Sequence, residues 1–305
     1  MLIILGPTAT GKTKLAVAVA EKINGAVISA DSRQVFRGMT LGTGKDIEEY
    51  SLPSGKIIPY YLIDIRQAGE EYSAFDFVRD ASQACKTIEQ NRQYPIICGG
   101  TGFYLESFLS PKTMTEVPVN AAFRKSLETK SDEELIQELK KHKTLHNHTD
   151  TENRTRLIRA LEIATFQDKL PSFKSYTPKN CKIFGVHCER KEIMQRITLR
   201  LEERLKKGMI DEVDQLLKTV SIDRLKRYGL EYRFIAEYLN HEISYDTMFE
   251  RLNIAIRQFA KRQMTWFRRM ERNGYTIHWL PFENGVERNS QIICEAIHRH
   301  TPTKK

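Results

Sequence analysis

Residues 6–13 read Gly6-Pro7-Thr8-Ala9-Thr10-Gly11-Lys12-Thr13 and fit the pattern GxxxxGK[ST]. Each fixed position has a chemical reason. The flanking glycines let the backbone wrap an anion with its N–H groups. Lys12 adds a point charge against phosphate oxygens, and Thr13 offers a hydroxyl to Mg²⁺. A helix that starts here aims the positive end of its dipole at the anion. The stretch therefore reads as a binding loop for a diphosphate or triphosphate with Mg²⁺. By itself it does not specify a nucleotide. No apolar strand ends in an aspartate at the place where an ATP-hydrolysing protein would carry its metal-binding acid. Asp64, after YYLI, is the nearest substitute.

Two further stretches could do chemistry. Asp31-Ser32-Arg33-Gln34 follows the apolar run ending in Ile28-Ser29-Ala30, and Gly99-Gly100-Thr101-Gly102 follows PIIC at 95–98. A carboxylate at the C-terminal end of a parallel strand sits on the rim where α/β sheets bind ligands. Asp31 there can accept a proton, Thr101 can donate or accept a hydrogen bond, and the glycines admit a ligand close to the backbone.

These groups need elements to position them. Leu2–Leu5, Ala26–Ala30, Tyr60–Ile65 and Pro95–Cys98 read as strands, and Lys12–Ile23 and Ala74–Asn91 as helices. Strands alternating with helices imply a parallel sheet with right-handed crossovers, an α/β fold of the P-loop NTPase-like kind. After Ser110-Pro111 the texture turns polar and helical, with helices expected at 119–130, 132–142 and 152–167. Ser131 and Glu134 there form a capping-box pattern. Lys182–His187 returns as a strand. Helices are expected at 189–207, 211–219, 230–239 and 245–271, then a strand at Thr276–Leu280, a helix at 288–298 and a frayed end at 300–305. The expected organisation is a catalytic core from 1–111 and 179–305, interrupted by a helical insertion at 112–178.

Charge divides the chain in the same way. The formal net charge is +9. Residues 1–110 carry 11 basic and 12 acidic side chains, whereas residues 111–305 carry 37 and 27. The back of the chain suits a polyanion such as a nucleic acid. Five scattered cysteines, without CxxC pairs or zinc-ligand spacing, fit a reduced protein. No apolar run is long enough to span a membrane, and no leader is recognisable. A cytoplasmic monomer is expected.

GPTATGKT, ISADSRQVFRGMTLGTGK, PIICGGTGFYL, RLIRALEI (156–163), LEERLKKGMIDEV (201–213) and IRQFAKRQMTWFRR (256–269) occur in order along residues 1 to 270. Together they resemble the tRNA dimethylallyltransferase (isopentenyltransferase) family, in its bacterial form without a C-terminal zinc finger. The resemblance implies transfer of a dimethylallyl group from its diphosphate to N6 of adenosine 37, next to the tRNA anticodon. The phosphate loop would then hold dimethylallyl diphosphate, with Mg²⁺ as cofactor. It also implies that Asp31 is the general base, that Thr101 bonds near the reacting amine and bridging oxygen, and that Lys12 and an arginine stabilise the departing diphosphate. That arginine is Arg200 or, one turn earlier, Arg196. The adenine must leave its stack to react. Asp31, Ser32, Arg33 and Gln34, with Thr155, Arg156, Leu157, Ile158 and Arg159, match the family's tRNA-contacting segments. Gln258 and Arg262 are expected to line the channel where base and diphosphate meet. Arg257, Lys261, Arg262, Arg268, Arg269 and Arg272 are expected to meet RNA phosphates, and Trp266 and Phe267 to belong to the core. The insertion matches the lobe that contacts the anticodon stem-loop.

The chain departs from the family at Tyr228-Gly229-Leu230-Glu231-Tyr232-Arg233 and at Phe166-Gln167-Asp168-Lys169-Leu170-Pro171, which bears on tRNA contacts. Two other classes fit the phosphate loop alone: an ATP-dependent small-molecule kinase, and a non-catalytic RNA-binding protein.

Overall fold

A computed structural model describes residues 1–110, 114–142, 151, 153–173, 175–178 and 180–298. The expected frayed end at 300–305, the change of texture at 111–113 and the helix start at 152 lie outside them. The chain divides into two compact units: Met1–Ser110 with Tyr176–Lys305, and Pro111–Ser175.

Along the chain run β1 (Leu2–Leu5), α1 (Lys12–Ile23), β2 (Gly25–Ser29), β3 (Tyr60–Tyr61), α2 (Ala74–Gln90), β4 (Tyr94–Gly99) and α3 (Gly102–Leu109). The second unit holds β5 (Met114–Thr115), α4 (Ala121–Ser126), α5 (Asp132–His142), α6 (Arg154–Phe166) and β6 (Ser172–Phe173). The first unit resumes with β7 (Lys182–His187), α7 (Arg190–Lys206), α8 (Met209–Leu217), α9 (Ile222–Leu225), α10 (Leu230–Leu239), α11 (Tyr245–Arg272), β8 (Ile277–Pro281) and α12 (Gly285–His298).

The six strands of the first unit form one parallel sheet in the order β3-β2-β4-β1-β7-β8. β1, β2 and β4 are apolar along their length because both faces of the sheet are covered. Register matters most for function. Leu5 of β1 pairs with Gly99 of β4, and Ser29 of β2 pairs with Cys98. The three segments that follow these residues therefore leave the sheet side by side, at the ligand-binding edge of an open α/β sheet.

The expected strand at Tyr60–Ile65 is cut to its first two residues. Leu62 and Asp64 have φ of 63° and 54°, a left-handed conformation that no strand accommodates. The Asp64 carboxylate turns to the ammonium of Lys45, which is 1% exposed. Helix 119–130 is likewise shorter than expected, spanning only Ala121–Ser126. The Asn120 side chain caps it by accepting a hydrogen bond from the Phe123 N–H. Sequence pattern alone does not anticipate α3, α9 or the β5–β6 pair, all of them short.

In the second unit, Leu127, Leu135, Leu139, Leu157 and Leu161 form a small core of their own. The capping box forms: the Ser131 N–H donates to Glu134 Oε2 at 2.7 Å, and the Glu134 N–H to Ser131 Oγ at 3.3 Å. Inside the unit lies the carboxylate of Glu162, with 0% exposure. Arg124 Nη2 donates to it at 2.8 Å, the Asn120 N–H at 2.7 Å, and Arg159 also pairs with it. Burial alone would raise its pKa, but these donors hold it at about 2, below the usual carboxylate range. The sign follows from linkage: this stabilisation is present above the unfolded carboxylate pKa and is lost as pH falls toward about 2. Glu162→Ala leaves two half-buried arginines without their anion, so it should destabilise the unit by about 3–5 kcal/mol at neutral pH. Chemical denaturation followed between pH 7 and pH 2 checks both points, since the gap between wild type and variant should narrow as pH falls.

Candidate functional site

The three segments meet at an open, solvent-accessible cleft. The phosphate loop contributes Thr8, Ala9, Gly11, Lys12 and Thr13; the segment after β2 contributes Asp31, Ser32, Arg33 and Gln34; Gly99 and Thr101 follow from β4. Arg200 and Arg204 of α7, Glu231 of α10, and Ile256, Phe259 and Gln263 of α11 close the other side.

The loop is shaped for an anion. Ala9 and Gly11 both adopt left-handed backbone, φ 64° and 69°, and Gly11 starts α1. Thr10 Oγ1 donates to the Pro7 carbonyl at 2.8 Å, which holds the loop's curvature. Lys12 Nζ folds back to the same carbonyl at 3.2 Å. Burial lowers the Lys12 pKa, and the charge of Arg200 lowers it further. Arg200 itself is brought down to about 10 by burial and then by neighbouring Arg204. Two cations on one cleft suit an anionic ligand.

The structure separates the two candidate arginines. Arg200 lines the cleft, whereas Arg196 donates through Nε to the Ala9 carbonyl at 2.8 Å and lies 4.3 Å from the centre of the Phe282 ring. Arg196 supports the loop from behind.

Across the cleft, Asp31 Oδ1 accepts from the Arg33 N–H at 2.9 Å, and Thr101 Oγ1 accepts from the Ser32 N–H at 3.3 Å. The first bond is local to the segment after β2, and the second ties the two strand ends to each other. Arg33 pairs with Glu231 at 3.4 Å and lies 5.3 Å from the centre of the Phe259 ring. Gln34 accepts from Ser29 Oγ at 2.7 Å and donates to the Gly44 carbonyl at 2.9 Å.

Residues 39–46 cross the cleft as a loop without ladder hydrogen bonds, so their N–H groups need other partners. Glu212 of α8 supplies them, accepting from the N–H groups of Thr40, Leu41 and Gly42 at 2.9, 2.7 and 3.1 Å. Buried Tyr232 donates to the same carboxylate at 2.8 Å. Gly44 then passes so close to α7 that an added Cβ would lie 2.0 Å from Arg204 Nη2. Arg204 pairs with Asp46 at 3.3 Å.

Other expected site residues lie elsewhere. Asp64 is held by Lys45 and does not line the cleft. Gln258 and Arg262 are on the exposed side of α11 rather than on the lining, and Phe259 and Gln263 occupy the cleft in their place. The proximity of these pairs in sequence hides the difference, since one residue along a helix turns a side chain by about 100°. In the second unit, Thr155 and Arg156 are exposed, Leu157 is in the core and Ile158 packs against it. Arg159 is engaged by Glu162 and by the Val117 carbonyl at 2.7 Å. Phe267 is fully buried, while Trp266 is half-buried between Phe103 and Arg269. Sequence reading missed Gln263, Glu212 and Arg204. The one signal for Gln263 is a polar residue on the apolar stripe of α11.

Fold and cleft define an α/β protein of the P-loop class, in which the Gly6–Thr13 loop lines one cleft with a carboxylate and a hydroxyl on neighbouring strand ends. A family model described as IPP transferase matches residues 34–270, and one described as Isopentenyl transferase matches residues 1–62. The chain belongs to the tRNA dimethylallyltransferase (IPP transferase) family and is a transferase. It is 49% identical to tRNA dimethylallyltransferase 1 of Azobacteroides pseudotrichonymphae over 92% of each chain. It is 48% identical to tRNA dimethylallyltransferase 2 of Bacteroides fragilis over 97% of this chain and 98% of that one. The solved tRNA delta(2)-isopentenylpyrophosphate transferase of Staphylococcus epidermidis superposes with a TM-score of 0.69 at 29% identity, covering 98% of this chain and 99% of that one. A eukaryotic dimethylallyltransferase, at 21% identity, shares the fold with a TM-score of 0.78 over 98% of this chain and 78% of its own.

The Glu212 carboxylate satisfies three loop amides and a buried tyrosine hydroxyl, and hydrogen bonds to a charged group contribute about 1.5–3 kcal/mol each when lost singly. Glu212→Ala should lower stability by at least about 2 kcal/mol and loosen the 39–46 loop. Denaturation midpoints and amide hydrogen exchange at Thr40–Gly42 measure the two effects.

Proposed function

We propose that this protein transfers a dimethylallyl group from dimethylallyl diphosphate to N6 of adenosine 37 in the anticodon loop of tRNA. The carrying observation is that two half-buried cations, Lys12 and Arg200, line one cleft together with Asp31 and Thr101. The first pair suits a departing diphosphate. The second suits an acceptor that must give up a proton.

The adenine amine is a weak nucleophile because its lone pair is delocalised into the ring. In the reaction, its nitrogen forms a bond to C1 of the prenyl group while the bond from C1 to the bridging oxygen breaks. The electron pair leaves with diphosphate, and the amine proton passes to the Asp31 carboxylate. Thr101 orients the amine and the bridging oxygen. Lys12, Arg200 and the loop N–H groups stabilise the charge that collects on diphosphate. Arg200 is preferred over Arg196, which is spent on the Ala9 carbonyl.

Among the described residues no group of three His, Cys, Asp or Glu side chains could hold a metal by itself. The cleft does offer hard oxygen donors beside the loop, the Thr13 hydroxyl and the carboxylate of Glu49. Burial and the nearby Asp46 charge raise the Glu49 pKa, a strain that a cation would relieve. This donor set fits Mg²⁺ held through Thr13 and the diphosphate's own oxygens. When bound, Mg²⁺ supplies charge neutralisation for the leaving group.

Asp31, Ser32, Arg33 and Gln34 would receive the flipped adenosine. Thr155 and Arg156, exposed on α6, would contact the anticodon stem-loop, with Leu157, Ile158 and Arg159 holding that helix in shape. Gln258, Lys261, Arg262, Arg268 and Arg272 are exposed on α11 and suit RNA phosphates. No helix among the described residues is long and apolar enough to cross a membrane. We place the enzyme in the cytoplasm as a monomer.

Incubation with tRNA, Mg²⁺ and labelled dimethylallyl diphosphate, without ATP, should move label into the tRNA. A requirement for ATP would favour a kinase instead. Asp31→Ala should keep stem-loop binding and lower transfer by roughly 10²- to 10⁴-fold. Unchanged transfer would remove Asp31 as the base, and a wild type that binds RNA without transferring label would leave only a binding protein.

A further inference from the structure

Gln263 is buried, 7% exposed, on the face of α11 that also presents Ile256 and Phe259 to the cleft. Its side-chain amide makes two hydrogen bonds far apart in sequence. Oε1 accepts from the N–H of Thr8 in the phosphate loop at 2.8 Å, and Nε2 donates to the carbonyl of Gly100, next to Thr101, at 2.9 Å. One neutral amide thus spans the loop that would carry the donor and the loop that would carry the acceptor. Only a side chain with a donor and an acceptor at this length can do so. The fit is tight: a Cβ on Gly100 would lie 2.2 Å from Gln263 Nε2, its next contacts including the Gly6 carbonyl at 3.3 Å.

We propose that Gln263 is a positioning residue for alkyl transfer, a strut that sets the separation between the diphosphate loop and the Gly100–Thr101 acceptor loop. The proposal rests on the function given above. Bond formation between a held carbon and a held nitrogen is sensitive to displacements of about 1 Å, which can cost roughly 10²-fold in rate. Both polar atoms of the amide are already engaged by the protein, so loss of the strut is expected to act on the chemical step more than on binding. It also satisfies the Thr8 N–H from the protein side, which leaves the later loop amides to the ligand.

The experiment is steady-state and single-turnover transfer to an anticodon stem-loop by wild type, Gln263→Ala, Gln263→Glu, Gly100→Ala and the Gln263→Ala/Gly100→Ala double variant. Gln263→Ala should lower kcat roughly 10- to 100-fold, with KM for dimethylallyl diphosphate and for the stem-loop within about threefold of wild type. Gln263→Glu is nearly isosteric and keeps the acceptor for Thr8, but it cannot donate to Gly100. Its kcat should fall as well, and it serves as the deciding variant if Gln263→Ala does not fold. Gly100→Ala breaks the same strut from the other end, and the strut can be lost only once. The double variant should therefore be no slower than the slower single variant, whereas independent structural damage would multiply. A kcat within twofold of wild type in folded Gln263→Ala or Gln263→Glu overturns the proposal, as does a loss confined to KM or multiplicative penalties in the double variant. Wild-type protein that transfers no label instead sinks the proposed function itself.

Discussion

Lys12 and Arg200 lie half-buried on one cleft, and among the described residues neither has a carboxylate within ion-pair distance. Burial depresses the pKa of both; the Arg200 charge adds to the effect on Lys12, and the Arg204 charge to that on Arg200. Cations held partly out of water without an ion-pair partner are costly in a folded protein. The arrangement makes sense when a dianionic or trianionic diphosphate completes it, and the rest of the site is organised around keeping that place open. Arg204 is neutralised by Asp46, and Arg33 by Glu231, so neither competes for the position.

Holding such a site open demands rigid walls, yet much of its lining is loop. β3 has only two residues, and the chain from Ala30 to Pro59 contains only one short 3₁₀ turn and isolated bridges. Loops without ladder partners are held by side chains instead. Glu212 and Tyr232 hold residues 40–42, buried Lys45 joins the Phe36 carbonyl to Asp64, and Gln34 holds Gly44. Gln263 does the same for the two loops at the rim. Several of these buried polar contacts come from α8, α10 and α11, so the helical back of the chain acts as a brace for ligand loops that the sheet presents. The exposed cations of α11 lie on the same helix as the Gln263 strut, which links a surface suited to RNA with the geometry of the cleft.

Much of this architecture is legible in the amino-acid sequence. Leu2–Leu5 and Lys182–His187 are recognisable as strands from their apolar runs, and α1, α5 and α10 from helical period and caps, because local pattern dominates where an element is buried on the side its sequence says. The phosphate loop is equally plain, since its conformation depends on glycines and a lysine within one short stretch. Asp31 and Thr101 can be named because each closes a recognisable strand. The errors arise where distant contacts decide. YYLIDI has the composition of a strand, but Asp64 is drawn to Lys45 and its backbone turns left-handed. On α11, Gln258 and Arg262 carry the chemistry expected of the cleft, but the helix is rotated so that Phe259 and Gln263 face it.

The amino-acid sequence alone determined which groups could do chemistry: an anion-binding loop, a carboxylate and a hydroxyl at strand ends, and a basic helical back half. These follow from residue type and short spacing, which no tertiary contact alters. The tertiary structure decided which of two arginines reaches the cleft and which faces of α7 and α11 line it. It also decided which buried polar residues hold the loops in place. Those choices depend on helix rotation and on hydrogen bonds between residues far apart in the chain, and such contacts leave no periodic trace in it.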